Sequence, residues 1–225
     1  MLRVYLFGLC ILVSTFLNAK PADALDSSSE SDLGSLIQIL DKIRTFSGSF
    51  VQYSLDQKGV RIQESHGQLK AERSGNFYWH TDSPLEQTVI SDGTHVTVYD
   101  PDLEQATIQN VDANLQTTPA VLFSGDITTI GSLFEVELKK FNSSTSQFLL
   151  TPKTKDSLFE ILRVRFEGLR LKELRITDSL GQESTMSFVH SEINLDFPPE
   201  TFVALLPDGT DIIKDVPNLS STKLP

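Results

Sequence analysis

Residues 77–109 read FYWHTDSPLEQTVISDGTHVTVYDPDLEQATIQ, and the period of this stretch decides the fold. Apolar residues recur every second position in short runs, the spacing of a strand with one buried face. Phe77-Tyr78-Trp79 consists of aromatic strand formers. Val89 and Ile90 precede Asp92-Gly93, a favoured hairpin turn. Val96, Val98 and Tyr99 resume the alternation, Asp100-Pro101-Asp102 turns the chain again, and Ala106-Thr107-Ile108 continue the meander.

Outward from this stretch the same period holds. On the N-terminal side residues 50–55 form a strand, Gln57-Lys58-Gly59 a turn, and residues 62–72 a second strand. Further back the period changes to that of a helix. Leu33, Leu36, Ile37, Leu40 and Ile43 fall on one face of residues 32–46, with Ser31 or Asp32 as cap and Gly48 just past the end. Residues 25–31, rich in Ser and Asp, read as disordered. On the C-terminal side Thr118-Pro119 opens a short helix through Leu122 and Phe123, and residues 126–133 form another. Strands return at residues 134–138, 147–150, 159–166, 171–177 and 185–190. Residues 202–206 and 211–213 close the chain around Pro207-Asp208-Gly209, and residues 217–225 form a loose tail. The expectation is a mainly β (α+β) chain of about eleven short strands. A sheet of this size curls toward a barrel, here with a few helices against one face.

The N-terminus reads as a secretory signal. Arg3 precedes an apolar run over residues 4–17, and Ala22-Asp23-Ala24 supplies the small residues of a cleavage site, so processing is expected after Ala24. The run is short for a membrane anchor. Cys10, the one cysteine, lies inside this signal with Leu9 before it, which does not fit a lipidation site. Residues 25–225 are then a single cysteine-free domain without disulfides. Removing residues 1–24 takes away Arg3, Lys20 and Asp23, which leaves 17 basic and 29 acidic side chains and a formal charge of -12. An acidic chain is a poor partner for nucleic acid and for an anionic bilayer.

Catalytic patterns are missing from the sequence. His66, His80, His95 and His190 show no metal-ligand spacing. There is no nucleophile elbow, P-loop or dinucleotide fingerprint. The carboxylates read as solvation of outer strand faces. Neither an enzyme nor a cofactor is expected. Phe77 and Trp79 share one strand face, where they either fill a plain core or line a cavity, and Arg73 just before them is either a solvated rim charge or a functional one.

Several stretches, in order, resemble the LolA family of periplasmic outer-membrane lipoprotein carriers. They are Gly67-Gln68-Leu69; Arg73 through Phe77-Tyr78-Trp79; Ser91-Asp92-Gly93; residues 99–106; Thr118-Pro119-Ala120; residues 150–153; residues 178–182; and residues 206–211. The resemblance implies an unclosed antiparallel β-barrel with a short helical lid over a hydrophobic cavity. It implies a monomeric, non-enzymatic periplasmic carrier without stable membrane insertion. Its partners would be acylated lipoproteins, an inner-membrane ABC-type release complex and an outer-membrane receptor of similar fold. The other reading it leaves open is a sensor or regulatory lipid-binding module of the envelope. By the same resemblance Arg73 is the lid latch, and Phe77, Trp79, Leu36, Leu40, Phe50, Leu122 and Phe123 form the acyl-chain cavity and its mouth. The family has proline where this chain has Ser74.

Overall fold

A computed structural model describes residues 23–111, 122, 127–140, 142–154, 157 and 159–214. Helix α1 (Asp23–Leu40) is followed by a meander of six strands: β1 (Thr45–Leu55), β2 (Arg61–Glu72), β3 (Asn76–Ser83), β4 (Gln87–Asp92), β5 (His95–Asp100) and β6 (Gln105–Asn110). A 3-10 turn (Ile127–Thr129) and the single-turn helix α2 (Ile130–Leu133) lead into the second meander. This comprises β7 (Phe134–Lys140), β8 (Thr145–Pro152), β9 (Ile161–Glu167), β10 (Arg170–Thr177) and β11 (Glu183–Ile193). A 3-10 turn (Pro199–Phe202) and β12 (Asp211–Lys214) end the described chain.

The twelve strands among the described residues form one sheet in the order β12-β6-β5-β4-β3-β2-β1-β11-β10-β9-β8-β7. The two meanders meet where β1 pairs antiparallel with β11, Phe50 opposite Phe188. Strands β7 and β12 stand at the two ends of that order, so the sheet is unclosed. Eleven strands make the antiparallel body, close to the number expected from sequence. The twelfth differs in direction, because β12 pairs parallel with β6.

Alternation assigns the faces. The register places Leu69, Trp79, Val89, Val98 and Thr107 in one row across β2–β6, and Ala71, Phe77, Ser91 and Val96 in the next row on the same inner face. Tyr78, Ile90, Thr97 and Ile108 lie between them on the outer face. The turn Pro199–Phe202 lies against β3 and β4 with Phe202 buried, consistent with the burial of Ile90 and Thr97 on that side.

On the inner face of β7–β11 a single apolar cluster joins Phe134, Val136, Phe148, Leu150, Leu162, Val164, Phe166, Leu174 and Phe188 to Leu36 and Leu40 of α1. The helix lies against β7, where the Asp32 carboxylate accepts a hydrogen bond from the Leu138 backbone N–H at 2.9 Å. That bond satisfies a backbone donor on the end strand.

Three local expectations are corrected. Residues 25–31 are helical, not disordered, and Asp32 lies within α1 and not at its cap. The helix stops at Leu40, not Phe46. Its last turn tightens, with Lys42 and Ile43 N–H groups donating to Ile39 and Leu40 carbonyls, and Thr45 and Phe46 are already paired with Glu72 and Ala71. Gly48 is therefore in β1, with the Phe46 and Phe188 rings against it. Residues 203–206 form no strand, since Phe202 ends a 3-10 turn and pairing resumes at Asp211. The helix expected to open at Thr118-Pro119 lies outside the described residues apart from Leu122, and so do the apolar run of the signal and the tail.

Candidate functional site

The turn between β2 and β3 is Arg73-Ser74-Gly75, and Gly75 takes φ +100°, a backbone conformation that favours glycine. This turn points the Arg73 side chain at the end of α1. One guanidinium nitrogen donates to the Leu40 carbonyl at 2.6 Å and the Ile43 carbonyl at 2.9 Å; the other donates to the Leu122 carbonyl at 3.2 Å. Leu40 closes a helix with no basic residue in its own last turn. A cation from a distant loop thus meets the negative end of the helix and satisfies a terminal carbonyl. Partial burial lowers the Arg73 pKa, and the neighbouring Asp41 carboxylate opposes the shift. The group remains a cation, as guanidinium does in proteins.

Where proline would stiffen the turn, this chain uses hydrogen bonds. The Ser74 hydroxyl and the Asn76 amide both donate to one Glu72 carboxylate oxygen at 3.2 Å.

Residues 41–44, the linker from α1 into β1, and Thr45 at the start of β1 are held from two sides. On one side are the Arg73 guanidinium and the Arg73 backbone N–H, which donates to the Arg44 carbonyl at 3.0 Å. On the other is Asn194, in the left-handed region at φ +60°. Its backbone N–H donates to the Thr45 carbonyl at 2.9 Å, its amide nitrogen to the Lys42 carbonyl at 2.9 Å, and its amide oxygen accepts from the Arg44 N–H at 2.8 Å. Sequence reading missed Asn194; an Asn directly after a strand, tolerant of positive φ, was the available signal.

The apolar side chains assigned from sequence fall in two groups. Leu36, Leu40, Phe50 and Leu122 lie in the large cluster and are fully buried. Phe77 belongs to a second, small cluster with Ala71 and Val96. Trp79 is half-buried and touches both clusters, with its ring 5.3 Å from that of Phe50. Val89 and Val98, not singled out from sequence, pack half-buried beside it. Phe123 lies outside the described residues. The close approach of Phe50 requires Gly67 opposite it. A Cβ there would stand 2.0 Å from the His80 carbonyl oxygen and 2.6 Å from the Phe50 ring.

Among the described residues no three His, Cys, Asp or Glu side chains converge as metal ligands, and no helix is long and apolar enough to cross a membrane. His80 faces outward, bonded to the Thr88 hydroxyl and stacked beside Tyr78. The arrangement as a whole is an apolar inner face whose helical cover is tied down through backbone carbonyls by one cation.

Residues 41–204 match the family described as outer membrane lipoprotein carrier protein LolA. An outer-membrane lipoprotein carrier protein of Pseudomonas entomophila is 42% identical over 186 residues, covering 83% of this chain and 89% of that one. One of Pseudomonas putida is 41% identical over 206 residues, covering 91% and 97%. A solved structure of an uncharacterized conserved protein from Thermus thermophilus is similar in fold alone, with TM-score 0.52 at 9% identity over 83% of this chain and 99% of that one. With its family match spanning most of the sheet, and relatives alike over nearly their full length, this chain belongs to the LolA family of outer membrane lipoprotein carrier proteins.

Proposed function

We propose that the chain is a periplasmic chaperone that carries lipoproteins from the inner to the outer membrane, shielding their acyl chains against its inner face. It takes cargo from an inner-membrane ABC-type release complex and passes it to an outer-membrane receptor of similar fold, without catalysing a reaction. The carrier names of relatives similar over almost their whole length support this over a sensor module.

The observation that carries the reading is the Arg73 contact to Leu40, Ile43 and Leu122. Each buried CH₂ of an acyl chain gains about 0.8 kcal/mol, so several chains on an apolar face would bind too tightly for handover. A cover that must be broken open lowers the net affinity. Three charge-assisted hydrogen bonds to carbonyls supply a cost of about a few kcal/mol, on the scale needed. Arg73 is the latch in this scheme. Phe77 and Trp79 form the mouth, and Leu36, Leu40, Phe50, Leu122 and Phe123 are apolar surface that cargo reaches once the latch opens.

Native mass spectrometry of protein purified from its own periplasm tests the reading. A bound, intact triacylated lipoprotein is expected; ligand-free protein under conditions that preserve such complexes would sink it. The Arg73→Leu variant should hold cargo and transfer it at least about tenfold more slowly, as the loss of about 1.4 kcal/mol or more from the closed state requires. Transfer at the wild-type rate would remove the latch role while leaving the carrier role standing.

A further inference from the structure

Four hairpin turns lie side by side along one end of the sheet, the end away from Arg73. They are residues 101–104 between β5 and β6, 84–86 between β3 and β4, 56–60 between β1 and β2, and 178–182 between β10 and β11. The strand order makes these hairpins consecutive, so neighbouring turns stand two strand spacings, about 10 Å, apart.

Each turn exposes a large apolar side chain: Leu103 at 67%, Leu85 at 68%, Val60 at 57% and Leu180 at 62%. The described turn residues at the opposite end, 73–75, 93–94, 142–144 and 168–169, expose none. Single exposed apolar side chains, such as Val111 and Leu195 at the opposite end, are ordinary; four on consecutive hairpin turns are not.

The tips are also fixed in place. The backbone N–H groups of Val60, Leu103 and Leu180 donate to the side-chain carboxylates of Asp56, Asp100 and Asp178 at 2.8, 3.1 and 2.8 Å. The Gln57 amide ties two neighbouring turns together by donating to the Leu180 carbonyl at 2.5 Å. Apolar side chains held on capped turns lose little freedom when they are covered. Between them the turns carry Asp56, Glu86, Asp102, Glu104 and Asp178 against one cation, Lys58.

We propose that this rim is a docking surface for a protein partner whose face offers apolar pockets about 10 Å apart, ringed by lysine and arginine. The carboxylates disfavour an anionic bilayer. They equally disfavour a second copy of the same rim, because like charges would meet. The inference goes beyond the carrier role and does not depend on it.

Photo-crosslinking in the cells that make the protein tests it, with p-benzoylphenylalanine placed singly at Leu85, Leu103 or Leu180 and, as controls, at Thr94 or Ser143. The expected result is one and the same protein captured from all three rim positions, through an apolar peptide flanked by Lys or Arg. Its yield should exceed the controls by at least about tenfold, as buried apolar anchors imply. Asp102→Asn with Glu104→Gln should lower the yield at Leu85. Adducts to lipid, to a second copy of the chain, to no macromolecule, or equal yields at both ends would overturn the proposal. A lowered melting temperature of purified Leu85→Ser/Leu103→Ser/Leu180→Ser protein would overturn it too, by assigning these side chains to the core.

Discussion

The two meanders bury their inner faces to different depths. Across β7–β11 the inner side chains Phe148, Leu150, Leu162, Val164 and Phe166 are fully buried, with Leu36 and Leu40 of α1 packed among them. Across β3–β5 the corresponding positions hold Trp79, Val89 and Val98, which stay half-buried, and the cluster there has three buried members among the described residues. The same sheet is thus a scaffold on one side, where the helix has already filled the space. On the other side it is an apolar surface with contacts still to make. A guest of hydrocarbon gains most where the protein has left its own side chains least covered.

The largest test of that contrast is a pair of truncations. Leu162→Ala, in the filled half, should cost about 4 kcal/mol, whereas Val98→Ala should cost about 1 kcal/mol, both read from urea unfolding. Comparable losses would mean that the two halves are packed alike. Gly67 lies in β2, between Phe50 of β1 and β3, and Gly67→Ala should destabilise by about 3 kcal/mol, because the new methyl group meets the His80 backbone and the Phe50 ring. Wild-type stability of that variant would show β3 free to move away from β2.

Asn194→Gly keeps the left-handed backbone and removes two side-chain bonds to the linker. A loss of about 1–2 kcal/mol is expected, with faster amide exchange at Arg44 than at Leu162. If Arg44 exchanged as slowly as before, the Asn194 side chain would not be what holds the linker. The smallest effect concerns Asp92, whose carboxylate accepts the Thr94 and His95 N–H groups and whose pKa is lowered mainly by those two bonds. Its contribution is present above the unfolded carboxylate pKa of about 3.9 and is lost as the pH falls through the lower folded value. Asp92→Ala should therefore cost about 1 kcal/mol or less at pH 7 and nothing in strong acid, with Asp92→Asn between the two.

Strand positions were legible because alternation leaves a local mark. Phe77 and Trp79, two apart in the sequence, share a face in the sheet as alternation expects; that Val89, Val96 and Val98 join them there follows from strand pairing, which leaves no local mark. The end of α1 was not, because what stops it is distant. Phe46 looks helical by spacing, yet Ile193 and Ala71 claim it for the sheet, and Arg73 caps Leu40. The start of α1 was obscured by Ser27-Ser28-Ser29, whose weak helix propensity gave way in place. Arg73 was singled out through family likeness, whereas the residues alone left it either a solvated rim charge or a functional one. Asn194 left no mark beyond its residue type, since its partners lie at the other end of the chain.

The join between β1 and β11 sets the order in which this molecule can assemble. Phe46 must find Ile193 and Phe50 must find Phe188, so the first meander waits for nearly the last strand before its inner edge is closed. Contacts of such long sequence separation slow folding and prolong the life of the half-built sheet. Until β11 arrives, β1 presents an unpaired edge bearing two phenylalanines to every neighbouring chain. A carrier that spends its working life keeping other proteins from aggregating would be most prone to aggregate in the moments before its own penultimate strand is in place.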